Sequence, residues 1–236
     1  MNNIKIFRIF GILTIISLYF LILVGGIVRA TGSGMGCPDW PKCFGHYIPP
    51  SDISEVSFKQ NHSYSKKVFI IHEGKLYYSK SAFVSSNTFN SMNWQQFEEH
   101  SYAVFNATHT WIEAFNRYIG VFVGLFVLGL FIYSWLLYKK HGRMDAQYNY
   151  LLIMRYSLVA LVFVIIQGII GKYLVSTHLK LKMLTLHMLF SYTVLFAVIY
   201  VLYNTSNNYF RLGFNKGVYN IIQISILLTG IQTVLG

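Results

Sequence analysis

The sequence contains five segments, each with an apolar stretch about as long as a transmembrane helix. A bilayer core is about 30 Å thick, and an α-helix needs roughly 20 apolar residues to cross it. Lys172, near the end of the third segment, can extend its side chain to the lipid headgroups. The pattern predicts an all-α fold, a polytopic transmembrane helix bundle. The five segments are residues 1–30, 109–138, 156–176, 183–203 and 217–236.

Composition and charge agree with a membrane protein and suggest its orientation. Apolar residues make up 54% of the chain and charged residues only 11%, too few to cover a water-soluble surface. Much of the net charge of +11 lies before the first span and in the connections 139–155 and 204–216, which are therefore predicted to be cytoplasmic. The N-terminus is then cytoplasmic, and the long loop 31–108 lies outside. No basic face on a soluble domain indicates nucleic-acid binding.

The long outer loop holds one recognisable element of secondary structure. Residues 68–71 and 76–79 flank the turn signal from His72 to Lys75, a pattern typical of a β-hairpin. We interpret the hairpin as a lid or a decoration. The rest of the loop carries no spacing that indicates catalysis.

Both cysteines of the chain, Cys37 and Cys43, lie in the outer loop shortly after the first span. An oxidising compartment allows them to form a disulfide. Two free thiols in a tight turn are the alternative, and we favour the disulfide because both cysteines share one short exposed loop.

The second span begins with a polar cluster. Glu113, Asn116 and Arg117 are three or four residues apart, so a helix stacks them on one face. Charges near hydrocarbon are costly unless they pair, face a polar cavity or contact a ligand, which indicates an intramembrane site. The alternative is an ion pair between Glu113 and Arg117 at the level of the lipid headgroups.

The fourth span carries His187 among apolar residues. A neutral imidazole in this setting can be an axial ligand to haem iron, because the flat macrocycle fits between bundle helices. A hydrogen bond to a neighbouring helix is an equally good explanation on periodicity alone. Since the second and fourth spans run in the same direction, we expect Glu113, Arg117 and His187 to lie at one level and to line one cavity.

These residues resemble the haem A synthases, which convert the C8 methyl group of haem O to a formyl group for cytochrome oxidase assembly. The polar cluster of the second span and His187 fall where that family's pattern expects them. The first-span exit and cysteine loop are also similar to the family's, and the part of the loop around the hairpin resembles an insertion. That exit and loop, residues 25–45, read GGIVRATGSGMGCPDWPKCFG.

The resemblance implies eight spans in two similar four-helix halves. This chain then shows one half and the start of a second, and we expect it to be truncated at Gly236. The resemblance also implies that a haem b cofactor belongs to the second half. We therefore expect this chain alone to be poorly stable and inactive.

The resemblance further implies roles for individual residues. Glu113 corresponds to the family's essential carboxylate, a catalytic group beside the haem substituent, and His187 corresponds to an axial ligand. The family has a second histidine ligand where this chain has Asn116, so Asn116 is expected to bind water or an iron-bound group instead, with His109 a less favoured ligand. Arg117 suits a haem propionate. Cys37 and Cys43 correspond to the family's outer cysteine pair, which is either redox-active or structural.

The sequence thus predicts a membrane oxidoreductase that acts on haem O in a bacterial-type inner membrane. The enzyme that produces haem O is an expected partner, and a homo-oligomer is among the assemblies left open. One alternative is a haem-binding electron-transfer subunit without catalysis of its own. Another, a membrane thiol oxidoreductase, is disfavoured because two cysteines cannot pass electrons to a second pair.

Overall fold

The computed structural model describes residues 2–97, 105–144, 148–177, 180–205 and 223–224. Within these ranges, four helices are long and apolar enough to cross a membrane. This confirms the prediction of a polytopic helical membrane protein. The fifth predicted span, 217–236, and most of the loop 204–216 lie outside the described residues. The helices are α1 (Asn2–Ala30), α2 (Ala107–His141), α3 (Tyr150–Ser176) and α4 (Leu181–Tyr203).

The helices extend beyond the predicted spans into the connection 139–155. Helix α2 continues to His141, and α3 begins at Tyr150 rather than at Tyr156. The Asn149 side chain accepts a hydrogen bond from the Leu152 backbone at 3.0 Å and so caps the start of α3. Apolar runs mark only the part of a helix that is suited to hydrocarbon, whereas the backbone hydrogen bonds continue through the charged ends.

The described chain divides into two compact units. The helical unit comprises Met1–Phe20, Gly120–Gly171 and Lys180–Gly236, and the loop unit comprises Leu21–Ile119 and Lys172–Leu179. Each is described by itself below.

Small residues allow close helix packing in the helical unit. A Cβ atom on Gly11 of α1 would lie 2.4 Å from the Leu202 side chain of α4, so a larger residue requires that side chain to move. Buried Ser134 of α2 and Ser157 of α3 share a hydrogen bond of 2.5 Å. Small residues and hydroxyl pairs are typical of helix interfaces in membranes, where apolar burial alone gives little driving force.

The loop unit contains two antiparallel sheets. The predicted hairpin is present as β2 paired with β3, and Glu73 and Gly74 form its turn with positive φ, as two-residue hairpin turns require. The sequence did not indicate the other strands: β5 pairs with β3, and β1 pairs with β4. The strands are β1 (Ser63–Tyr64), β2 (Phe69–His72), β3 (Lys75–Ser79), β4 (Phe83–Val84) and β5 (Trp94–Phe97).

The three-stranded sheet shares its core with the cysteines. Phe69 and Leu76 pack with Cys37, Cys43 and Ala114 in one buried cluster, which joins the sheet to the start of α2. The hairpin is therefore part of the core that surrounds the cysteine loop.

Candidate functional site

Glu113 lies at the centre of a polar group in the loop unit. Its residue surface is only 4% exposed. One carboxylate oxygen, Oε2, accepts a hydrogen bond from the Cys37 backbone N–H at 2.9 Å, and the other, Oε1, is paired with Arg117. Both oxygens of this buried carboxylate are therefore engaged.

Arg117 extends this group to the cysteine loop. Its Nη2 donates to Glu113, one helical turn earlier, while its Nη1 donates to the backbone carbonyls of Asp39 at 2.7 Å and Lys42 at 2.9 Å. The ion pair that the sequence left open as an alternative is present. It also fastens the loop to α2, which spacing along the helix could not indicate.

The loop backbone approaches α2 closely at Gly36. A Cβ atom there would lie 2.5 Å from the carbonyl oxygen of His109, so a larger residue requires the loop or the helix to move. Thr110 Oγ1 donates to the Gly36 carbonyl at 2.9 Å. Glycine is required here by proximity, since no side chain fits between the two backbones.

Cys37 and Cys43 form a disulfide. Their residue surfaces are 0% and 3% exposed, and the sheet covers them. Thiol exchange needs access for an attacking thiolate. The burial therefore supports a structural role and weighs against the thiol oxidoreductase alternative.

Asp39, between the two cysteines, has an unusual environment. Its Oδ2 accepts the Gly45 N–H at 2.9 Å, whereas its Oδ1 is buried without a hydrogen-bond partner among the described residues. Burial raises the pKa of the Asp39 carboxyl to about 6, against the opposing effects of the Gly45 hydrogen bond and the Arg117 charge. The carboxyl thus gains or loses a proton close to neutral pH.

Asn116 belongs to the same face of α2. Its side-chain oxygen is buried without a partner within the described part of the chain. A Cβ atom on Gly25 would lie 3.9 Å from this oxygen, so the end of α1 comes close to it. The amide oxygen is available to a water molecule or a ligand.

His187 and Gln167 form a second polar group, in the helical unit. Gln167 Nε2 of α3 donates to the His187 backbone carbonyl of α4 at 2.6 Å. Two buried atoms, His187 Nδ1 and Gln167 Oε1, have no hydrogen-bond partner among the residues described. An imidazole that ligates a metal normally donates its other ring N–H to an acceptor. Nδ1 and Oε1 are not hydrogen-bonded to each other, so each is open to water or a ligand.

The comparison with known families decides what kind of protein carries these groups. The sequence profile of the cytochrome oxidase assembly protein family, COX15-CtaA, matches residues 8–75 and 79–236. The chain belongs to this family. The match includes the cysteine loop, the polar face of α2 and His187, and it is continuous except at residues 76–78, within β3.

Curated relatives of this family member share shorter segments with it. Three of them are named Heme A synthase. The protein from Shewanella oneidensis is 39% identical over 49 residues, which cover 21% of this chain and 15% of the relative. That from Alkalihalophilus pseudofirmus is 37% identical over 59 residues, 25% of this chain and 20% of the relative. The protein from Halalkalibacterium halodurans is 39% identical over 56 residues, which cover 23% of this chain and 19% of the relative. No solved structure matches the chain.

The predicted site residues of this family member therefore fall into two groups. Glu113, Asn116, Arg117 and the disulfide belong to the loop unit, and His187 belongs to the helical unit. Within the described residues, no group of three or more histidine, cysteine, aspartate or glutamate side chains could hold a metal ion. The expectation that Glu113 and His187 line one cavity stays a prediction.

Two polar residues of these groups escaped the sequence reasoning. Asp39 lies between the cysteines, and nothing in its spacing indicates that the loop buries its carboxyl. Gln167 had a usable signal, since an amide inside an apolar span needs a hydrogen-bond partner. Its partner is the His187 backbone carbonyl, 20 residues later on another helix, and sequence alone does not supply that pairing.

Proposed function

We propose that this family member acts in haem A synthesis, as a membrane oxidoreductase that oxidises the C8 methyl group of haem O to a formyl group for cytochrome oxidase. Membership in the cytochrome oxidase assembly family supports the pathway, and the names of the relatives support the reaction. The observation that carries the proposal is the buried Glu113 carboxylate on the polar face of α2, at the position where the family pattern has its essential carboxylate.

The reaction determines what a carboxylate is needed for. Converting a methyl group to a formyl group with oxygen from water releases four electrons and four protons. Glu113 is proposed to accept a proton from the reacting substituent or to stabilise positive charge that develops there. Arg117 holds this carboxylate in place, and the Cys37 N–H fixes its second oxygen. The electrons leave to an acceptor outside this chain.

We further propose that haem O, as substrate, is held through His187. The iron of the bound haem supplies the redox chemistry, while the chain supplies ligation, orientation and a proton acceptor. Asn116 is proposed to bind water or a group on the iron, since an amide is a poor iron ligand. Arg117 Nε, buried and unpartnered among the described residues, is the atom through which this residue could reach a propionate. No residue is assigned to a haem b cofactor.

The chain is a multi-pass membrane protein, and its placement in the cell follows from the same proposal. We propose a bacterial-type inner membrane, with the N-terminus cytoplasmic and the loop 31–108 outside, as the basic connections predict. The enzyme that makes haem O is the proposed partner, because haem O is poorly soluble in water and passes most directly between neighbouring membrane proteins. A homo-oligomer is compatible with this arrangement.

A haem-binding electron-transfer subunit is the rival function. One observation favours it: both Glu113 oxygens are already engaged in contacts that hold the cysteine loop. In the rival account Glu113 is purely structural, and its negative charge has no part in chemistry.

Replacing Glu113 by glutamine separates the two functions. The amide can still accept the Cys37 N–H, but it cannot take a proton as a carboxylate does. The substitution is introduced into the gene that encodes this chain, so that the protein is tested as the cell makes it. Haems are then extracted from the membranes and separated. We expect haem A to be lost and haem O to remain, with the Cys37–Cys43 disulfide intact.

Unchanged haem A in the Glu113→Gln strain would remove Glu113 from the chemistry. A matched control is Glu73→Gln, which alters an exposed carboxylate in the turn between β2 and β3. We expect this control to leave the haem composition unchanged.

A further inference from the structure

A short apolar segment of the loop unit lies against the start of α2. We call Tyr47–Ser51 the apolar segment. Tyr47 is 71% exposed and Ile48 76% exposed, whereas Pro49 and Pro50 are buried. Large apolar side chains so fully exposed side by side usually mark a surface that binds something.

Two hydrogen bonds fasten the apolar segment along α2. The Tyr118 hydroxyl donates to the Tyr47 carbonyl, and Trp111 Nε1 donates to Ser51 Oγ at 3.0 Å. Trp111 and Tyr118 are seven residues apart, which corresponds to about 10 Å along a helix at 1.5 Å per residue. The segment therefore runs beside two turns of α2, with Tyr47 further along the helix than Ser51.

The face of α2 beside the apolar segment is itself exposed and apolar. Trp111, Phe115 and Tyr118 recur at helical spacing, and each is between 40% and 54% exposed. This face belongs to a helix that is long and apolar enough to cross a membrane. Lipid is the solvent of such a face, and tyrosine and tryptophan are enriched where it meets the headgroups.

The charges around the apolar segment fit the same boundary. Arg117, next to Tyr118, is held by loop carbonyls, and the Lys42 ammonium lies 4.9 Å from the centre of the Tyr47 ring. On the other side, Asp52 begins a short helical turn with an exposed capping box. The apolar side chains are thus bounded by groups that suit lipid headgroups and water.

We propose that the apolar segment is a membrane anchor: Tyr47 and Ile48 insert into the boundary between headgroups and acyl chains beside α2. Its partner is the lipid bilayer, and its effect is to fix the cysteine loop and the attached sheets against the membrane surface. The surface is continuous with the exposed face of α2, and this continuity favours lipid over a protein partner. The proposal is independent of the proposed enzymatic function.

Photo-crosslinking tests the anchor. Benzoylphenylalanine is placed at position 48, at position 47, and at position 92 as a matched control, because Met92 is 79% exposed but lies in a short turn before β5, outside the apolar segment. The full chain is reconstituted in vesicles of phosphatidylcholine and phosphatidylglycerol, illuminated, digested and analysed by mass spectrometry. An intact Cys37–Cys43 disulfide in the peptide map shows that each variant has folded.

We expect roughly tenfold more lipid adduct at positions 47 and 48 than at position 92, because only the bilayer offers acyl C–H groups to the probe. Equal lipid adduct at positions 48 and 92 would overturn the proposal. Adducts between position 48 and protein, in place of lipid, would also overturn it and would indicate a protein-binding surface.

Discussion

The two polar groups of this molecule differ in how completely their hydrogen bonds are made. In the loop unit, Glu113 has both oxygens engaged, and Arg117 connects it to two loop carbonyls. In the helical unit, His187 and Gln167 share one hydrogen bond and leave two buried atoms without partners among the described residues. Buried polar groups in native proteins are almost always paired, so buried atoms without partners indicate where water or a ligand can bind. Among the described residues the loop unit also has such atoms, on Arg117, Asn116 and Asp39, but none of them is on Glu113.

The two groups suggest different roles for residues that the sequence marks equally as candidates for the site. A charged pair in a span is usually a stronger sign of a ligand site than one histidine. Here both Glu113 oxygens are engaged in contacts that hold a disulfide loop, while the histidine group has a buried acceptor and a buried ring nitrogen without partners among the described residues. We infer that Glu113 and Arg117 order the site and that His187 is the residue prepared for ligation.

Breaking the ion pair between Glu113 and Arg117 should have the largest effect on stability. Arg117→Leu leaves the Glu113 carboxylate buried without its counter-charge, which typically costs about 3–5 kcal/mol. We expect a lower midpoint of thermal unfolding in detergent and faster hydrogen exchange at the Cys37 amide. Arg143→Leu, in the exposed connection after α2, is the control and should change neither. An unaltered midpoint in Arg117→Leu would mean that the ion pair contributes little to the fold.

Altering the group formed by His187 and Gln167 should change haem binding more than stability. Gln167→Met keeps the volume of the side chain but removes the amide that donates to the His187 carbonyl, together with its unpartnered acceptor Oε1. Loss of such a supporting group typically weakens metal binding by about 10–100-fold. We expect weaker haem binding and a shifted Soret band, both followed in an optical titration with haem.

Thr185→Val is the control for this titration, because the Thr185 hydroxyl donates to the Leu181 carbonyl of its own helix. It should leave the affinity and the spectrum unchanged. An equal loss in both variants would show that α4 packing, and not the Gln167 acceptor, controls binding.

Asp39 gives the smallest effect, and it depends on pH. Its pKa is raised to about 6 in the folded loop from 3.8, so the folded state binds more protons than the unfolded state between these values. The contribution to stability is therefore greatest below about pH 4 and is lost as pH rises through 6, by on the order of 2 kcal/mol in total. Above that range it is constant.

Hydrogen exchange at the Gly45 amide, corrected for intrinsic rates, measures this effect in the full chain. Protection should fall between about pH 4 and pH 6 in the native protein, the interval between the ordinary pKa of 3.8 and the raised pKa of about 6. Asp39→Asn keeps an acceptor for Gly45 and should show no such fall. The same pH dependence in both proteins would show that another group is responsible.

The sequence predicted the parts of the structure that depend on local chemistry. Apolar runs located the four described helices, and the turn signal near Gly74 located the hairpin. Glu113 and Arg117 could be placed on one face because helical spacing is fixed. In each case the pattern that carries the prediction lies in residues that are close together in the sequence.

The remaining features depend on contacts between distant residues. Arg117 binds the carbonyl of Asp39, 78 positions earlier, and a backbone carbonyl leaves no trace in the sequence. Strand β5 pairs with β3 although Gln95 and Gln96 give it no apolar alternation. The requirement for glycine at position 36 likewise becomes visible only when the loop lies against His109.

The most direct test of the account is a haem titration of three forms of the purified chain, native, His187→Ala and Glu113→Gln. Haem is added stepwise to each form, and binding is measured from the optical spectrum. The bound haem is then extracted and identified. The account predicts that the native and Glu113→Gln forms bind haem and that His187→Ala does not. Binding by His187→Ala equal to that of the native chain would contradict the assignment of His187 as the ligand.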